Sequence, residues 1–163
     1  MTDKMTAPPV RRVITGHAPD KKAIVVADGA PAIVNAKELS ASTTVWSSLA
    51  IPVTVEGEGF SVDPATHHQG SGAPPHGVRL MIMDLAPGAK GNMHRTNTVD
   101  LVICLEGEIE MLLPDSSVRL KAGEILIQQS TIHAWTNPGA VRARLAITLI
   151  DAVPLGPAFP PAR

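Results

Sequence analysis

Pro87-Gly88-Ala89-Lys90-Gly91-Asn92-Met93-His94-Arg95-Thr96-Asn97-Thr98-Val99-Asp100-Leu101-Val102-Ile103-Cys104-Leu105-Glu106-Gly107 is the stretch on which the reading turns. It opens on a Pro-Gly turn signal, and the apolar run Val99 to Leu105 reads as a strand that closes at Glu106-Gly107. Gly88 and Gly107 are read as turn residues that need unusual backbone angles. His94, Thr96 and Asp100 lie between the two glycines, so side chains able to hold a proton or a metal are packed into one turn and one strand.

Strand signals continue on both sides. Val78 to Leu85 is apolar at nearly every position and stops at Ala86-Pro87-Gly88, as does a strand buried on both faces. Glu108 to Met111 and Val118 to Leu120 alternate polar and apolar, as half-exposed strands do. Glu124 to Gln129 and Ile132 to Asn137 follow, with Asn137-Pro138-Gly139 as a turn. In Val141 to Ile147, Arg142 and Arg144 share one face, read as solvated, and the aliphatic residues mostly the other. About six strands with closely spaced turns predict an all-β sandwich or barrel.

The first half is less regular. Val13-Ile14, Ala23 to Val26 and Thr43 to Trp46 read as strands, Asp28-Gly29 as a turn, and Asn35 to Ser40 as a short helical turn. Residues 54–76 are a loop rich in Gly, Pro and Ser that flanks a site, and the four prolines after Val153 bar a central strand. The organisation is an N-terminal arm and strands (1–32), a strand plus loop at the barrel mouth (33–76), a core barrel (77–151) and a Pro-rich tail (152–163).

The chain has 163 residues, the size of one domain, and a formal net charge of -1, which offers no basic field for nucleic acid. No apolar run is long enough to span a membrane, and residues 1–10 do not resemble a signal peptide, so the expected address is cytoplasmic. The one cysteine, Cys104, excludes an internal disulfide and is read as a buried, inert thiol. Chemistry therefore falls to His, carboxylate or hydroxyl groups. Aromatic residues are 2% of the chain, with no Tyr, so the core is expected to be aliphatic.

Gly88, five residues, His94, Thr96 two further on, then Asp100 and, after six more residues, Gly107 resemble the first signature of the cupin superfamily. Gly123, His133 and Asn137 resemble the second, about 16 residues downstream. More narrowly, RRVITGH, Trp46, HRTNTVD and TIHAWTN are similar to small single-domain bacterial cupins of the cupin 2 type. The resemblance implies a double-stranded β-helix, a jelly-roll barrel whose mouth often holds a divalent metal on three His and one Glu. His94, Asp100 and His133 match three of those ligands, while Thr96 stands where the second His belongs and Asp is one methylene shorter than Glu. Two His and one carboxylate have the composition of a non-haem iron triad, or of a zinc site with a bound water.

Two readings follow from the resemblance. In one, a metal-dependent enzyme (Fe, Zn, Mn or Ni; dioxygenase, isomerase or decarboxylase type) acts on a small organic molecule. In the other, a metal-free barrel binds such a molecule, with or without His-based acid–base isomerisation. The pocket residues are expected to be Thr96, Trp135, Trp46 and His76, and His76, His67 or His68 is available to restore the missing ligand. His17 is read in a turn, and Arg95 as a surface ion pair or dimer contact. Anchors for a strongly anionic substrate are expected only if an arginine turns inward. A homodimer is expected, formed by packing sheets or by exchanging the arm Arg11 to Val26.

Overall fold

The computed structural model describes residues 4–31, 34–55 and 72–159. Among them every regular element is a strand: β1 (Arg12–His17), β2 (Ala23–Gly29), β3 (Val34–Ala36), β4 (Ser40–Ser48), β5 (Val78–Leu85), β6 (Thr98–Glu106), β7 (Glu108–Leu112), β8 (Ser117–Lys121), β9 (Ile125–Gln129), β10 (Ala134–Thr136) and β11 (Ala143–Asp151). Among the described residues no helix is long and apolar enough to cross a membrane. His67 and His68 lie outside the described residues.

Six strands form one sheet in the order β3-β4-β5-β11-β6-β9, and β10-β7-β8 form a second; β1 and β2 make a separate hairpin. The two larger sheets face each other as a jelly-roll barrel. Between them lie Met81, Val102, Leu145, Ile147 and Leu149 from the large sheet and Ile109, Met111, Leu120 and Trp135 from the small one. Alternation explains the selection. Along β11 every second residue, from Ala143 to Leu149, is buried, because successive side chains of a strand leave opposite faces.

Turns shape the barrel ends. Gly88 and Gly107 have φ of 79° and 73°, as their turns require. At Gly107 a Cβ would also sit 2.5 Å from the Arg142 carbonyl oxygen, so no side chain fits there.

Five expectations are corrected. Asp28-Gly29 is not a turn but the end of β2, paired with Val13 and Arg12. Asn35 to Ser40 contains no helical turn: Val34–Ala36 is a strand that pairs with residues 41–43. His17 ends β1, paired with Ala23, rather than sitting in a turn. Arg142 and Arg144 are not a solvated face. Arg144 grips the buried Asp84 with Nε and Nη2 at 2.8 and 3.1 Å, and Arg142 adds Nη1 at 3.2 Å. Arg95 is buried too, with Nη1 donating to Asn97 Oδ1 and to Ser130 Oγ.

Candidate functional site

His94 and His133 come together through the backbone. They form an isolated antiparallel bridge in which each N–H donates to the other's carbonyl at 2.9 Å. A bridged pair of this kind places both side chains on one face, and the ring centroids are 4.5 Å apart at 49°. Trp135, two residues beyond His133, stands edge-on to it at 6.0 Å.

Each ring is tied in the same way. His94 Nδ1 lies 3.0 Å from the Asn92 carbonyl oxygen and His133 Nδ1 lies 3.0 Å from that of Thr131. A carbonyl only accepts, so a neutral ring that makes this bond carries its proton on Nδ1 and leaves Nε2 as an acceptor. Burial pulls the His133 imidazole below its ordinary pKa, with the Thr131 carbonyl opposing and His94 adding to the effect, which keeps the ring neutral.

Asp100 faces the same interior from β6, 5% exposed. Burial pushes its carboxyl above the ordinary value, against smaller pulls from the Thr98 hydroxyl and from His94. The Thr98 hydroxyl lies beside the carboxyl, and it shares a hydrogen bond with the Thr96 hydroxyl 2.7 Å away. Oδ1 of Asp100 has no hydrogen-bond partner. Thr96, at the position of the missing histidine, thus supports Thr98 with its hydroxyl.

Directly opposite Asp100 across β6 and β9 is Gln128, 2% exposed, whose Nε2 is 3.0 Å from His133 Nδ1 and whose Oε1 has no partner. The sequence reading passed over it. A signal was present, since alternation puts Gln128 on the face of Leu126 and a lone amide on an apolar face asks for a role.

The register also turns Arg79 inward. It lies beside Leu149, which on its other side pairs with Asp100, so the three stand in one row. Its guanidinium donates to Thr44 Oγ1 through Nε and Nη2. An inward arginine, the condition for an anionic substrate, is therefore present. Cys104, on the same face as Asp100, is buried and its thiol is pushed up by burial, as an inert core cysteine would be.

A cleft of about 520 Å³ opens beside the histidine pair. His94, Trp135, Leu39, Met83 and Leu85 line it, and Lys37, Glu38 and Lys90 also border it. Trp46 and His76 are not part of it. Trp46 pairs with Leu80 on the outer face of the large sheet. His76 is exposed, in a left-handed turn (φ 59°), with its backbone N–H on Asp151 Oδ2 at 2.7 Å.

Two imidazoles with bare Nε2 atoms suit a divalent ion, and metal-bound histidines commonly donate their other N–H to a backbone carbonyl. The third ligand is what fails. Among the described residues no three His, Cys, Asp or Glu side chains are gathered so that they could hold a metal ion. The histidine pair and the Asp100 carboxyl do not close into a three-ligand set.

Comparison with known proteins agrees with this architecture. The family model for the cupin domain matches residues 81–150. The cupin-domain-containing oxidoreductase srdB of Neurospora crassa is 32% identical over 152 residues, covering 88% of this chain and 74% of its own. The cupin-domain-containing oxidoreductase virC of Hypocrea virens is 28% identical, covering 91% and 81%. Both of these relatives are fungal, whereas the narrower resemblance pointed to bacterial cupins. Among solved structures, the Schizosaccharomyces pombe Cnp3 cupin domain has a TM-score of 0.54 at 12% identity, covering 86% and 87%, a likeness of fold alone.

Proposed function

The chain belongs to the cupin family, and from that premise we propose that it is an enzyme acting on a small organic molecule, with the His94–His133 pair as its reacting centre. The observation that carries this is the tied pair itself: two adjacent imidazoles, each with Nδ1 fixed to a carbonyl and Nε2 left to accept. The naming of relatives as oxidoreductases supports the enzyme reading over simple binding.

In this reading the substrate enters the cleft and lies against Trp135 and Met83. His94, which lines the cleft, takes a proton from the substrate onto Nε2, and His133, kept neutral by burial, remains an acceptor beside it. Proton removal next to a carbonyl or from a hydroxyl begins many isomerisations and oxidations, so the step fits the family without fixing the reaction. Incubating the protein with a mixture of small metabolites and following each by chromatography with mass detection, which separates isomers of equal mass, tests the proposal. A compound consumed by wild type and spared by His94→Ala supports it; consumption of none, or equal consumption by the variant, sinks it.

A second reading keeps the divalent metal (Fe, Zn, Mn or Ni) on His94 and His133 with Asp100 as the third ligand, which would have to move to close on the pair; the carbonyl-tied Nδ1 atoms and the partnerless Asp100 Oδ1 favour it. Elemental analysis separates the two. Near-stoichiometric metal that disappears in His133→Ala replaces the acid–base reading; none taken up at micromolar concentration removes the metal.

We also infer a homodimer. Leu101 faces Ile127 and Ile103 faces Ile125 on the outer side of the large sheet, all exposed, at an edge strand. An apolar face of this kind is a liability unless covered. A monomer by light scattering would refute the pairing.

A further inference from the structure

His133 Nδ1 is 3.0 Å from the Thr131 carbonyl oxygen and 3.0 Å from Gln128 Nε2. It cannot serve both. The carbonyl accepts and so requires Nδ1–H, whereas an amide nitrogen donates and requires Nδ1 bare. A side-chain amide has a second orientation, a half-turn that exchanges oxygen and nitrogen and leaves its shape nearly unchanged. Turned in this way, Gln128 Oε1 joins the Thr131 oxygen in accepting the Nδ1 proton, and Nε2 takes the buried place where Oε1 has no partner.

Asp100 Oδ1, an acceptor, is likewise buried without a partner. It belongs to the residue directly opposite Gln128, on the same interior face. Opposed residues of antiparallel strands hold their Cβ atoms about 4.5–5.5 Å apart, within reach of an amide–carboxylate hydrogen bond. The rotation gives up the long contact from Nε2 to the Thr131 carbonyl oxygen at 3.5 Å, and in return removes a donor–donor conflict at His133 and offers each of two buried atoms a partner.

We propose that Gln128 is a positioning residue whose amide bridges Asp100 and His133, Nε2–H donating to Asp100 Oδ1 and Oε1 accepting from His133 Nδ1–H, which fixes the His133 lone pair on Nε2. The chain runs on through the other carboxyl oxygen to Thr98 and Thr96, and His94 is fixed in the same sense by Asn92. The imidazole pair then offers two acceptors and no donor. A group that docks on it brings a proton or a positive charge. Only this last step rests on reading the pair as a reacting centre; the hydrogen-bond chain stands without it.

Long-range proton–nitrogen NMR spectra of the imidazole rings, with side-chain amide spectra of wild type and Asp100→Ala, test the bridge near pH 7.5. Wild type is expected to show His133 protonated at Nδ1 and bare at Nε2, with one Gln128 amide proton shifted downfield and slow to exchange. In Asp100→Ala that shift should vanish and the exchange should quicken about tenfold or more, as loss of one hydrogen bond requires. Should Asp100→Ala not fold, Asp100→Asn is expected to weaken the same signal. A His133 ring protonated at Nε2, or a Gln128 amide unaffected by the Asp100 variants, overturns the proposal. Failure of the enzyme reading would leave these spectra unchanged, so the two outcomes are separable.

Discussion

Replacing Asp84 by asparagine leaves the shape of the side chain and removes its charge from between two guanidinium groups. The Asp84 side chain is 1% exposed, while those of Arg144 and Arg142 are 12% and 26% exposed. Arg144 binds it with both of its available nitrogens, and Asp84 in turn holds that guanidinium above its ordinary pKa. Removing one partner of a buried ion pair costs about 3–5 kcal/mol, because the other charge is left without compensation. Both arginines retain some contact with water, so the lower end, about 3 kcal/mol, applies to Asp84→Asn. For a domain of this length each kcal/mol moves Tm by about 2–4 °C, which gives a fall of about 6–12 °C by circular dichroism. The same arginine holds the N-terminal segment, donating from Nη2 to the Pro8 carbonyl at 2.7 Å. Limited proteolysis around Pro8 should therefore quicken in the variant. Removing both charges at once, as in Asp84→Leu with Arg144→Leu, should cost less than the two single changes added together. A fall in Tm below about 2 °C for Asp84→Asn, or a double variant as damaged as that sum, would refute the reasoning.

Gly107→Ala places a Cβ against the Arg142 carbonyl oxygen in a left-handed turn and should cost about 2–4 kcal/mol, read as a lower midpoint in urea unfolding. The pH dependence of stability has a sign set by His133. Its folded pKa lies below the ordinary 6.5, so the unfolded chain takes up the proton first and stability falls as pH drops through about 6.5. His133→Gln should flatten urea midpoints measured between pH 7.5 and 5.5, and an equally steep curve in the variant would show that another group is responsible. Asp100, its carboxyl raised by burial, acts in the opposite direction: the unfolded carboxyl ionises first, so its contribution to stability is lost as pH rises from about 4. Asp100→Asn should therefore gain on wild type over that rise, in urea midpoints measured from about pH 4 upward. Ile127→Lys, at a site 51% exposed on the sheet edge, should convert a dimer to monomer by light scattering while Tm at high dilution moves by less than about 2 °C.

Strands were legible because each carries its own burial pattern; which face of the barrel a residue takes is a property of pairs of strands. Trp46 shows the difference. Counting by twos from Thr44, whose hydroxyl meets the inward Arg79, a regular strand would aim Trp46 into the barrel as well. β4 carries one extra residue there: Thr44 pairs with Met81 but Trp46 pairs with Leu80, and that bulge sends the indole to the outer face. No residue type in Thr43 to Trp46 announces the bulge, because it is fixed by the register with β5. The helical turn expected at Asn35 to Ser40 was lost for the same reason, its residues being claimed by pairing with β4.

The site divides along the same line. His94 and His133 could be named from local spacing, since each lies in its own short motif and the fold joins the motifs through one backbone bridge. Gln128 and Arg79 owe their places to cross-strand neighbours, Asp100 for the first and Leu149 for the second, which no single strand reveals. Thr96 reads as a lost ligand when its motif is taken alone. In the barrel its hydroxyl meets that of Thr98, beside the Asp100 carboxyl, whose residue pairs with Gln128 on the neighbouring strand. A histidine at Thr96 would break that contact, so Thr96→His should not by itself restore a metal centre. It should instead leave the Asp100 carboxyl with a poorer hydrogen-bond chain, and Co²⁺ titrated into the variant should bind no more tightly than to wild type. Tight, stoichiometric cobalt binding by Thr96→His would show that the threonine is only a vacancy in a metal site and has no role of its own.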